Sequence, residues 1–321
     1  MSKIVFDGIS KVYTGAAQPA VDQLSLEVPE GSFAVLLGPS GCGKTTLLKM
    51  VNRLVEPTAG AIYLDDVDSR EMDVTLLRRQ IGYVIQQIGL FPHMTVAQNV
   101  AVVPQLLGWT KERIAARTDE LLELVGLPPG EFRGRYPAQL SGGQQQRVGL
   151  ARALAVDPKV LLMDEPFGAL DAINRTNLQR EMLRLQQRLH KTILFVTHDV
   201  EEALTLADEL VIMRQGRLVQ AGIPCELLSE PANDFVRELL NADDRVRQIS
   251  FVKLETAMRP LPDGPLPADA PTLDIHETVR RALSLLLSDG VEQVIVTKGG
   301  APQGLVTFED LKDVRCTDEQ P

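Results

Sequence analysis

Short runs of consecutive apolar residues mark the predicted buried strands in the first two-thirds of the chain. They are Phe33–Leu37, Val160–Met163 and Ile193–Thr197, and polar residues follow the end of each run. Between the runs lie segments with apolar residues at helical spacing, as in Arg113–Leu124. Alternating strands and helices predict an α/β fold with a parallel sheet. Because ligands of such sheets bind at the carboxyl ends of the strands, the polar residues there are the first site candidates.

The pattern changes near residue 241. We expect a linker over residues 241–250, between a main domain at 1–240 and a smaller unit at 251–321. A proline-rich segment, Arg259–Pro271, predicts irregular extended chain. The elements predicted after it are a helix, two strands and a short helix, at Val279–Leu286, Val294–Val296, Leu305–Val306 and Phe308–Val314. Since so short a unit buries little core alone, we expect it to pack on the main domain or on a copy of itself.

The segment after the first apolar run reads Gly-Pro-Ser-Gly-Cys-Gly-Lys-Thr, the spacing of a phosphate-binding loop. Its glycines let the backbone approach a ligand, and the N–H groups at the start of the next helix favour an anion. Lys44 would supply charge to the outer phosphates and Thr45 a hydroxyl for Mg²⁺. The alternative is a glycine-rich turn with a chance lysine, which the flanking strand and helix disfavour. The predicted nucleotide-binding residues here are Gly38, Pro39, Ser40, Gly41, Cys42, Gly43, Lys44, Thr45 and Thr46.

The second apolar run ends in two carboxylates, Asp164 and Glu165. Asp164 stands where the acidic residue of a neighbouring strand holds Mg²⁺ beside a phosphate loop. Glu165 is the candidate general base for an attacking water, a role worth on the order of 10²–10⁴-fold in rate. A polar strand end is the alternative interpretation, and the phosphate loop upstream favours the catalytic one.

A second anion site is predicted where a helix begins after Leu140. Ser141 and Gln144 have the spacing of a capping box, and Gly142 and Gly143 bare the backbone N–H groups of the first turn. A well-capped helix start and an anion site are compatible with each other. One chain with two anion sites indicates that two chains enclose two nucleotides.

In order and spacing, these motifs resemble the ATP-binding cassette family of transporter ATPases over about 240 residues. The resemblance implies an α/β P-loop NTPase cassette with a RecA-like core, an antiparallel β subdomain and a helical subdomain over about residues 88–157. The matching segments are Gly38–Thr45 (Walker A), Gln86 (Q-loop), Ser141–Gln145 (signature), Val160–Glu165 (Walker B), Gly168–Asp171 (D-loop) and Thr197–Asp199 (switch histidine).

The resemblance also implies individual roles. Tyr13 would stack on adenine, Gln86 would ligate Mg²⁺ or position water, and His198 would contact the γ-phosphate. Gln87 makes the Q-loop register ambiguous by one residue, and the family pattern favours Gln86. The residues that would reach the ATP of a second subunit are Ser141, Gly142, Gly143 and Gln144, and Asp171 joins the nucleotide-binding set. The implied catalytic residues are Glu165, His198 and Gln86, and the implied metal ligands are Thr45, Gln86 and Asp164.

The stretch Gly82–Val96 indicates the branch of the family. Its Val-Ile-Gln-Gln-Ile-Gly portion resembles importers of glycine betaine, choline, carnitine and related quaternary ammonium osmoprotectants. The Leu90–His93 portion is common among bacterial importer ATPases and would form a socket for a membrane subunit. A turn with a buried aromatic ring is the compatible structural interpretation.

The C-terminal segment Gly304–Asp310 resembles the end of a CBS module, as osmoprotectant ATPases carry. It implies a small α+β CBS-like unit with a regulatory or dimerisation role. One such unit is present, over roughly residues 250–315, whereas a pair normally forms the ligand cleft. In that family Thr307 and Asp310 can touch a ribose, but a helix N-cap by Thr307 is favoured here.

The charge and hydropathy of the chain disfavour nucleic-acid binding and a membrane-spanning segment. The net charge of −10 argues against a nucleic-acid-binding surface. No apolar run approaches the roughly 18 residues that span a bilayer, and the first residues lack a signal-peptide pattern. Together with these observations, the family resemblance implies a peripheral protein on the cytoplasmic face of the inner (plasma) membrane.

The expected partners are a second copy in a head-to-tail ATP-bound dimer, integral membrane permease subunits and, indirectly, a substrate-binding protein. The expected cofactors are ATP and Mg²⁺. The expected function is ATP hydrolysis that powers import of glycine betaine or a related osmoprotectant. Three alternatives remain: an importer ATPase for another solute, a soluble ABC ATPase of DNA repair or the ribosome, and a module whose main output is the ligand state of the tail.

Overall fold

The computed structural model describes residues 2–86, 89–168, 172–261, 266–267, 270–288, 290–312 and 314. The chain divides into two compact units, Met1–Leu218 and Val219–Pro321. This division falls before the limit at residue 240 that the sequence pattern suggests. The assignment of functional domains to 1–240 and 251–321 stays a prediction.

The strands of the first unit are named in chain order. They are β1 (Ile4–Lys11), β2 (Val21–Val28), β3 (Phe33–Leu37), β4 (Ala59–Leu64), β5 (Val67–Asp68), β6 (Ile81–Val84), β7 (Val160–Asp164), β8 (Thr192–Thr197), β9 (Glu209–Arg214) and β10 (Arg217–Gly222), which contains the division between the units. The helices of this unit are α1 (Lys44–Val51), α2 (Val74–Arg79), α3 (Val96–Leu106), α4 (Lys111–Leu124), α5 (Pro129–Phe132), α6 (Gly142–Ala153), α7 (Ala172–Leu189) and α8 (Val200–Leu206).

A six-stranded sheet forms the centre of the α/β fold. Within the described residues its order is β10-β9-β3-β8-β7-β6, and the pairs from β9 to β6 are parallel. Strands β3, β7 and β8 are buried along their whole length, as expected for a parallel sheet covered on both faces. Their register aligns Leu37 with Thr197 and Asp164 with Val196. The carboxyl ends of the three predicted strands therefore lie side by side.

The segment between the Q-loop and Walker B is helical, as the family resemblance implies. Helix α3 packs against α4 and α6, and α4 also packs against α6. Thr95, Thr110 and Ser141 begin these three helices, and each side chain accepts a backbone hydrogen bond from its first turn. The prediction of a helix ending at Leu124 is confirmed, because α4 stops four residues before the Pro128-Pro129 pair.

The second unit contains the helices and strands that the C-terminal pattern predicts. Its elements are α9 (Pro224–Ser229), α10 (Asp234–Leu240), α11 (Arg245–Ile249), α12 (Leu254–Ala257), β11 (Arg259–Pro260), β12 (Thr272–Asp274), α13 (Val279–Leu286), β13 (Gln293–Lys298), β14 (Ala301–Thr307) and α14 (Phe308–Lys312). The described strands form one sheet in the order β11-β14-β13-β12. Cys225 and Ile249 share a buried core with Val279 and Val306, so the segment before residue 251 belongs to the same packed unit.

An antiparallel sheet in the first unit has the order β2-β1-β4-β5 among the described residues. A shift in register between Asp7 and Ser10 of β1 brings its backbone against Gly60 of β4. Gly60 has φ +80°, and a Cβ there would lie 2.4 Å from the Gly8 carbonyl oxygen. The close approach of the two backbones therefore requires glycine at this position.

We expect Gly60→Ala to lower the free energy of unfolding by roughly 2–5 kcal/mol. Left-handed backbone costs a non-glycine residue about 1–2 kcal/mol, and overpacking adds about 1–3. Gly15→Ala is the matched control, because Gly15 has φ +82° but nothing within 4 Å of its Cβ position. Urea unfolding of both variants would separate the two costs. Equal losses for the two substitutions would contradict the packing argument.

Candidate nucleotide-binding and hydrolysis site

The predicted phosphate loop joins β3 to α1, and two of its glycines are required by close backbone contacts. A Cβ on Gly38 would lie 2.2 Å from the Met213 carbonyl oxygen, and one on Gly43 would lie 2.3 Å from the Ala20 carbonyl oxygen. Gly43 also has φ +108° and directly precedes the first residue of α1. The loop is thus fixed against two neighbouring segments while its N–H groups lie at the start of a helix, the arrangement that suits a phosphate.

Lys44 is buried, with 5% of its surface exposed, and its ammonium group lies within the curve of the loop. Its Nζ atom donates to the carbonyl oxygens of Gly38 at 2.6 Å and Pro39 at 3.1 Å. Cys42, also buried, places its Sγ atom 3.7 Å from the same ammonium. A buried ammonium that has neutral oxygen and sulfur partners, and no carboxylate partner among the described residues, suits a lysine that serves an anionic ligand.

Thr45 and Asp164 meet across the ends of α1 and β7. The Thr45 hydroxyl donates to Oδ1 of Asp164 at 2.9 Å. Burial raises the pKa of the Asp164 carboxyl, an effect that the hydrogen bond from Thr45 opposes. A hydroxyl and a carboxylate oxygen are the hard donors that Mg²⁺ prefers, so this pair fits the metal that the sequence predicts.

One carboxylate oxygen of Glu165 contacts both Gln86 and His198, the other two predicted catalytic residues. Its Oε2 accepts a hydrogen bond from Nε2 of Gln86 at 3.1 Å and lies 3.1 Å from Nδ1 of His198. Glu165 has φ +44°, an uncommon conformation for a residue with a side chain and one that clusters at functional sites. The backbone N–H of Glu165 donates to the Val196 carbonyl at 3.0 Å, which ties it to β8. The structure therefore brings all three predicted catalytic residues together.

The contact with Glu165 defines the orientation of each partner. Because Nε2 of Gln86 faces Glu165, its amide oxygen is the atom suited to a metal ion. His198 presents Nδ1 to the carboxylate, which leaves its second ring nitrogen, Nε2, for a different partner, and the side chain is 58% exposed. A carboxylate that accepts from two polar groups is well placed to orient and polarise a water molecule.

Tyr13 lies beside the first turn of α1. Its ring is 42% exposed, and its hydroxyl oxygen is 3.5 Å from Oγ1 of Thr46. The ammonium group of Lys11 lies 5.3 Å from the ring centroid. An exposed aromatic face beside a phosphate loop is suited to stacking on a base.

The signature residues occupy the start of α6. The Ser141 Oγ atom accepts from the Gln144 N–H at 3.3 Å, and Oε1 of Gln144 accepts from the Ser141 N–H at 3.0 Å, so the predicted capping box is present. Gly142 and Gly143 form the first turn. Among the described residues, no hydrogen bond or ion pair joins this helix start to the Gly38–Thr45 loop. Asp171 of the predicted D-loop and Gln87 lie outside the described residues.

Sequence reasoning missed Asn99, a fully buried residue of α3. Its Oδ1 accepts from the Phe91 N–H at 2.8 Å, and its Nδ2 donates to the carbonyls of Phe91, Met94 and Thr95 at 3.2, 3.1 and 3.0 Å. One amide thus fixes the turn after the Q-loop. Gln98 stands directly before Asn99, so the spacing of polar residues does not single out the asparagine, and its role follows only from its buried partners.

The profile of the ABC transporter family matches residues 21–168. The chain is 50% identical to the glycine betaine uptake system ATP-binding protein YehX of Escherichia coli, over 96% of this chain and 98% of that protein. It is 48% identical to the osmoprotectant import ATP-binding protein OsmV of Salmonella typhimurium, over 86% of this chain and 73% of that one. The chain belongs to the ABC transporter family. It is an ATPase of the importer type, so the family and the enzyme class predicted from the motifs are confirmed.

Solved structures agree with this assignment. A dimeric post-hydrolysis state of the ATP-binding cassette MJ0796 bound to ADP and Pi aligns with a TM-score of 0.62 and 32% identity, covering 69% of this chain and 98% of that one. The cbiO1 protein of Clostridium perfringens, part of the ABC transporter complex cbiONQ, aligns with a TM-score of 0.66 and 26% identity, covering 76% and 96%. The first-unit fold is therefore an ABC cassette. No described helix of this ATPase combines the length and apolar character needed to cross a membrane.

We expect Tyr13→Ala to weaken ATP binding by roughly 10-fold, because stacking of a base on an aromatic ring contributes about 1–3 kcal/mol. Tyr13→Phe should bind ATP within about 2-fold of the parent, since the 3.5 Å hydroxyl contact is long. Calorimetric titration with ATP and Mg²⁺ measures both. Equal weakening by the two substitutions would assign the effect to the hydroxyl rather than the ring.

Proposed function

We propose that this ATPase powers the import of glycine betaine or a related quaternary ammonium osmoprotectant. The relative named for glycine betaine uptake is covered by this chain over 98% of its length, and one named for choline transport over 80%. The subunit itself would not contact the solute, so an importer of a different small solute is the alternative.

The convergence of Gln86 and His198 on Glu165, beside the Thr45–Asp164 pair, is the observation that carries the catalytic proposal. The loop at Gly38–Thr46 would hold the phosphates of ATP, with Tyr13 against adenine. Thr45, Asp164 and the amide oxygen of Gln86 would hold Mg²⁺, which neutralises charge on the phosphates when bound.

Glu165 would take a proton from the attacking water, with Gln86 and His198 orienting its carboxylate. His198 also has an exposed ring edge that would contact the γ-phosphate, where negative charge accumulates in the transition state.

The active form would be a head-to-tail dimer. In the described part of the chain no hydrogen bond joins the signature at Ser141–Gln144 to the phosphate loop, which supports a role of the signature toward the nucleotide of a second copy. Gly142 and Gly143 would offer N–H groups to that nucleotide, and Asp171 would lie at the same interface. The dimeric MJ0796 cassette is a precedent of the same fold.

Integral membrane permease subunits would receive the movement of this dimer at the cytoplasmic face of the membrane, and a separate substrate-binding protein would select the solute. The turn that Asn99 fixes carries Phe91, which is 41% exposed. A rigid turn with an exposed aromatic ring, five residues after Gln86 in the sequence, is suited to transmit nucleotide state to such a partner.

The tail would serve as a CBS-like regulatory or dimerisation unit. Oδ2 of Asp310 accepts from the Thr307 N–H at 2.8 Å and the Thr307 hydroxyl at 2.7 Å, and lies 3.5 Å from Nε of Arg259. These local contacts favour a structural role for Thr307 and Asp310 over ribose binding. Dimerisation is therefore the simpler role of the two.

We expect Glu165→Gln to lower steady-state ATP hydrolysis by at least about 10²-fold while ATP still binds, because the amide cannot accept the proton. The variant should accumulate as an ATP-bound dimer, measured by size-exclusion chromatography with light scattering. Glu201→Gln is the matched control on an exposed carboxylate of α8. Near-parental hydrolysis by Glu165→Gln would overturn the assignment of the base.

The solute is tested in the assembled transporter reconstituted in liposomes with its permease and binding protein. We expect glycine betaine, choline or carnitine to raise ATP hydrolysis several-fold and sugars to leave it unchanged. Copurification with a permease but stimulation by another solute class would support the alternative importer. Failure to associate with any membrane subunit would favour a non-transport ATPase.

A further inference from the structure

We infer that Thr197 and Glu202 are positioning residues that hold the His198 peptide in place for the reaction. This inference rests on the catalytic role proposed for His198. The Thr197 side chain is buried at the end of β8, with 2% of the residue exposed, and Glu202 is buried in α8 with 3% exposed. A buried carboxylate so close to a catalytic segment needs a reason, because burying its charge is costly.

The hydroxyl of Thr197, the residue before His198, makes hydrogen bonds to two residues that follow His198 in the chain. It donates to Oε2 of Glu202 at 2.7 Å and accepts from the Asp199 N–H at 3.0 Å. The second bond closes a short ring around the His198 peptide, so the residue cannot rotate about its backbone without breaking it. The first bond anchors that ring to α8.

Asp199 begins α8 and adds a second anchor. Its Oδ1 accepts from the N–H groups of Glu201 at 2.9 Å and Glu202 at 3.1 Å, which is an N-cap. Both residues that flank His198 are therefore attached to the same helix. The imidazole is exposed, whereas the backbone that carries it is held by these bonds, of which the one between Thr197 and Glu202 is buried.

Arg175 connects this assembly to α7. Its Nη1 donates to Oδ2 of Asp199 at 3.0 Å, and its Nε lies 3.7 Å from Oε1 of Glu202. Burial raises the pKa of the Glu202 carboxyl, while the hydrogen bond from Thr197 and the charge of Arg175 oppose this shift. The arginine therefore compensates the buried charge and links the His198 segment to the first turn of α7.

The arrangement implies that loss of the Thr197 hydroxyl acts on hydrolysis through His198. We expect Thr197→Val, which keeps the branched shape, to lower kcat for ATP about 10-fold in the full-length ATPase. The KM for ATP should stay within about 2-fold, because Thr197 contacts none of the predicted nucleotide-binding residues by hydrogen bond. Thr197→Ser restores the hydroxyl and should recover at least about half of kcat.

A double-mutant cycle with His198→Ala separates positioning from general destabilisation. If Thr197 acts through His198, Thr197→Val should lower kcat less than about 2-fold in the His198→Ala background. An equal 10-fold loss in both backgrounds, or a rise in KM with unchanged kcat, would overturn the inference. An unchanged kcat for His198→Ala alone would instead overturn the role proposed for His198.

Arg175→Gln gives an independent route if Thr197→Val does not fold. The Arg175 side chain is 32% exposed, so its replacement disturbs the core less. We expect a 3–10-fold loss of kcat that also disappears in the His198→Ala background. Persistence of the full loss in that background would count against the inference.

Discussion

The parallel register of three buried strands decides where the chemistry of this ATPase lies. Because β3, β7 and β8 end side by side, the phosphate loop, the two acidic residues and the switch histidine emerge at one edge of the sheet. The strands are apolar along almost their whole length, so the sheet is rigid and cannot slide without exposing its core. Residues about 120 and 30 positions apart can therefore meet within hydrogen-bonding distance.

Strained backbone is tolerated at this edge because its surroundings are fixed. Gly38 and Gly43 allow carbonyl groups of neighbouring segments to approach the loop, and Glu165 keeps a left-handed conformation anchored to β8. Such conformations cost of order 1–3 kcal/mol each and persist only where packing determines them. The same rigidity gives Glu165 the fixed partners Gln86 and His198, and it places the buried Thr197–Glu202 bond directly behind the histidine.

In the function that we propose, each chain supplies half of a nucleotide site, and the second chain of a dimer completes it. Walker A and Walker B lie on the central sheet, whereas the signature begins a helix in the helical segment. This separation lets nucleotide hold two chains together and lets hydrolysis release them. The turn after Gln86, which Asn99 holds, would link the same event to a permease. The tail has its own core and its own sheet, so its role can be tested apart from catalysis.

By itself the sequence determined strands β3, β7 and β8, the phosphate loop, the capping box at Ser141 and the family, because these depend on local spacing and on residue types with few alternatives. Helices α13 and α14 and strands β13 and β14 were predicted for the same reason, whereas the short strand β12 was not. Only the tertiary structure decided that Gln86 and His198 share one oxygen of Glu165, that Gly60 lies against β1, and that the residues before 251 pack into the C-terminal core. Contacts between distant residues depend on strand register and helix packing. Neither Asn99 nor the Arg175–Glu202 pair could be found from spacing, because a buried polar residue is recognised only once its partners are located.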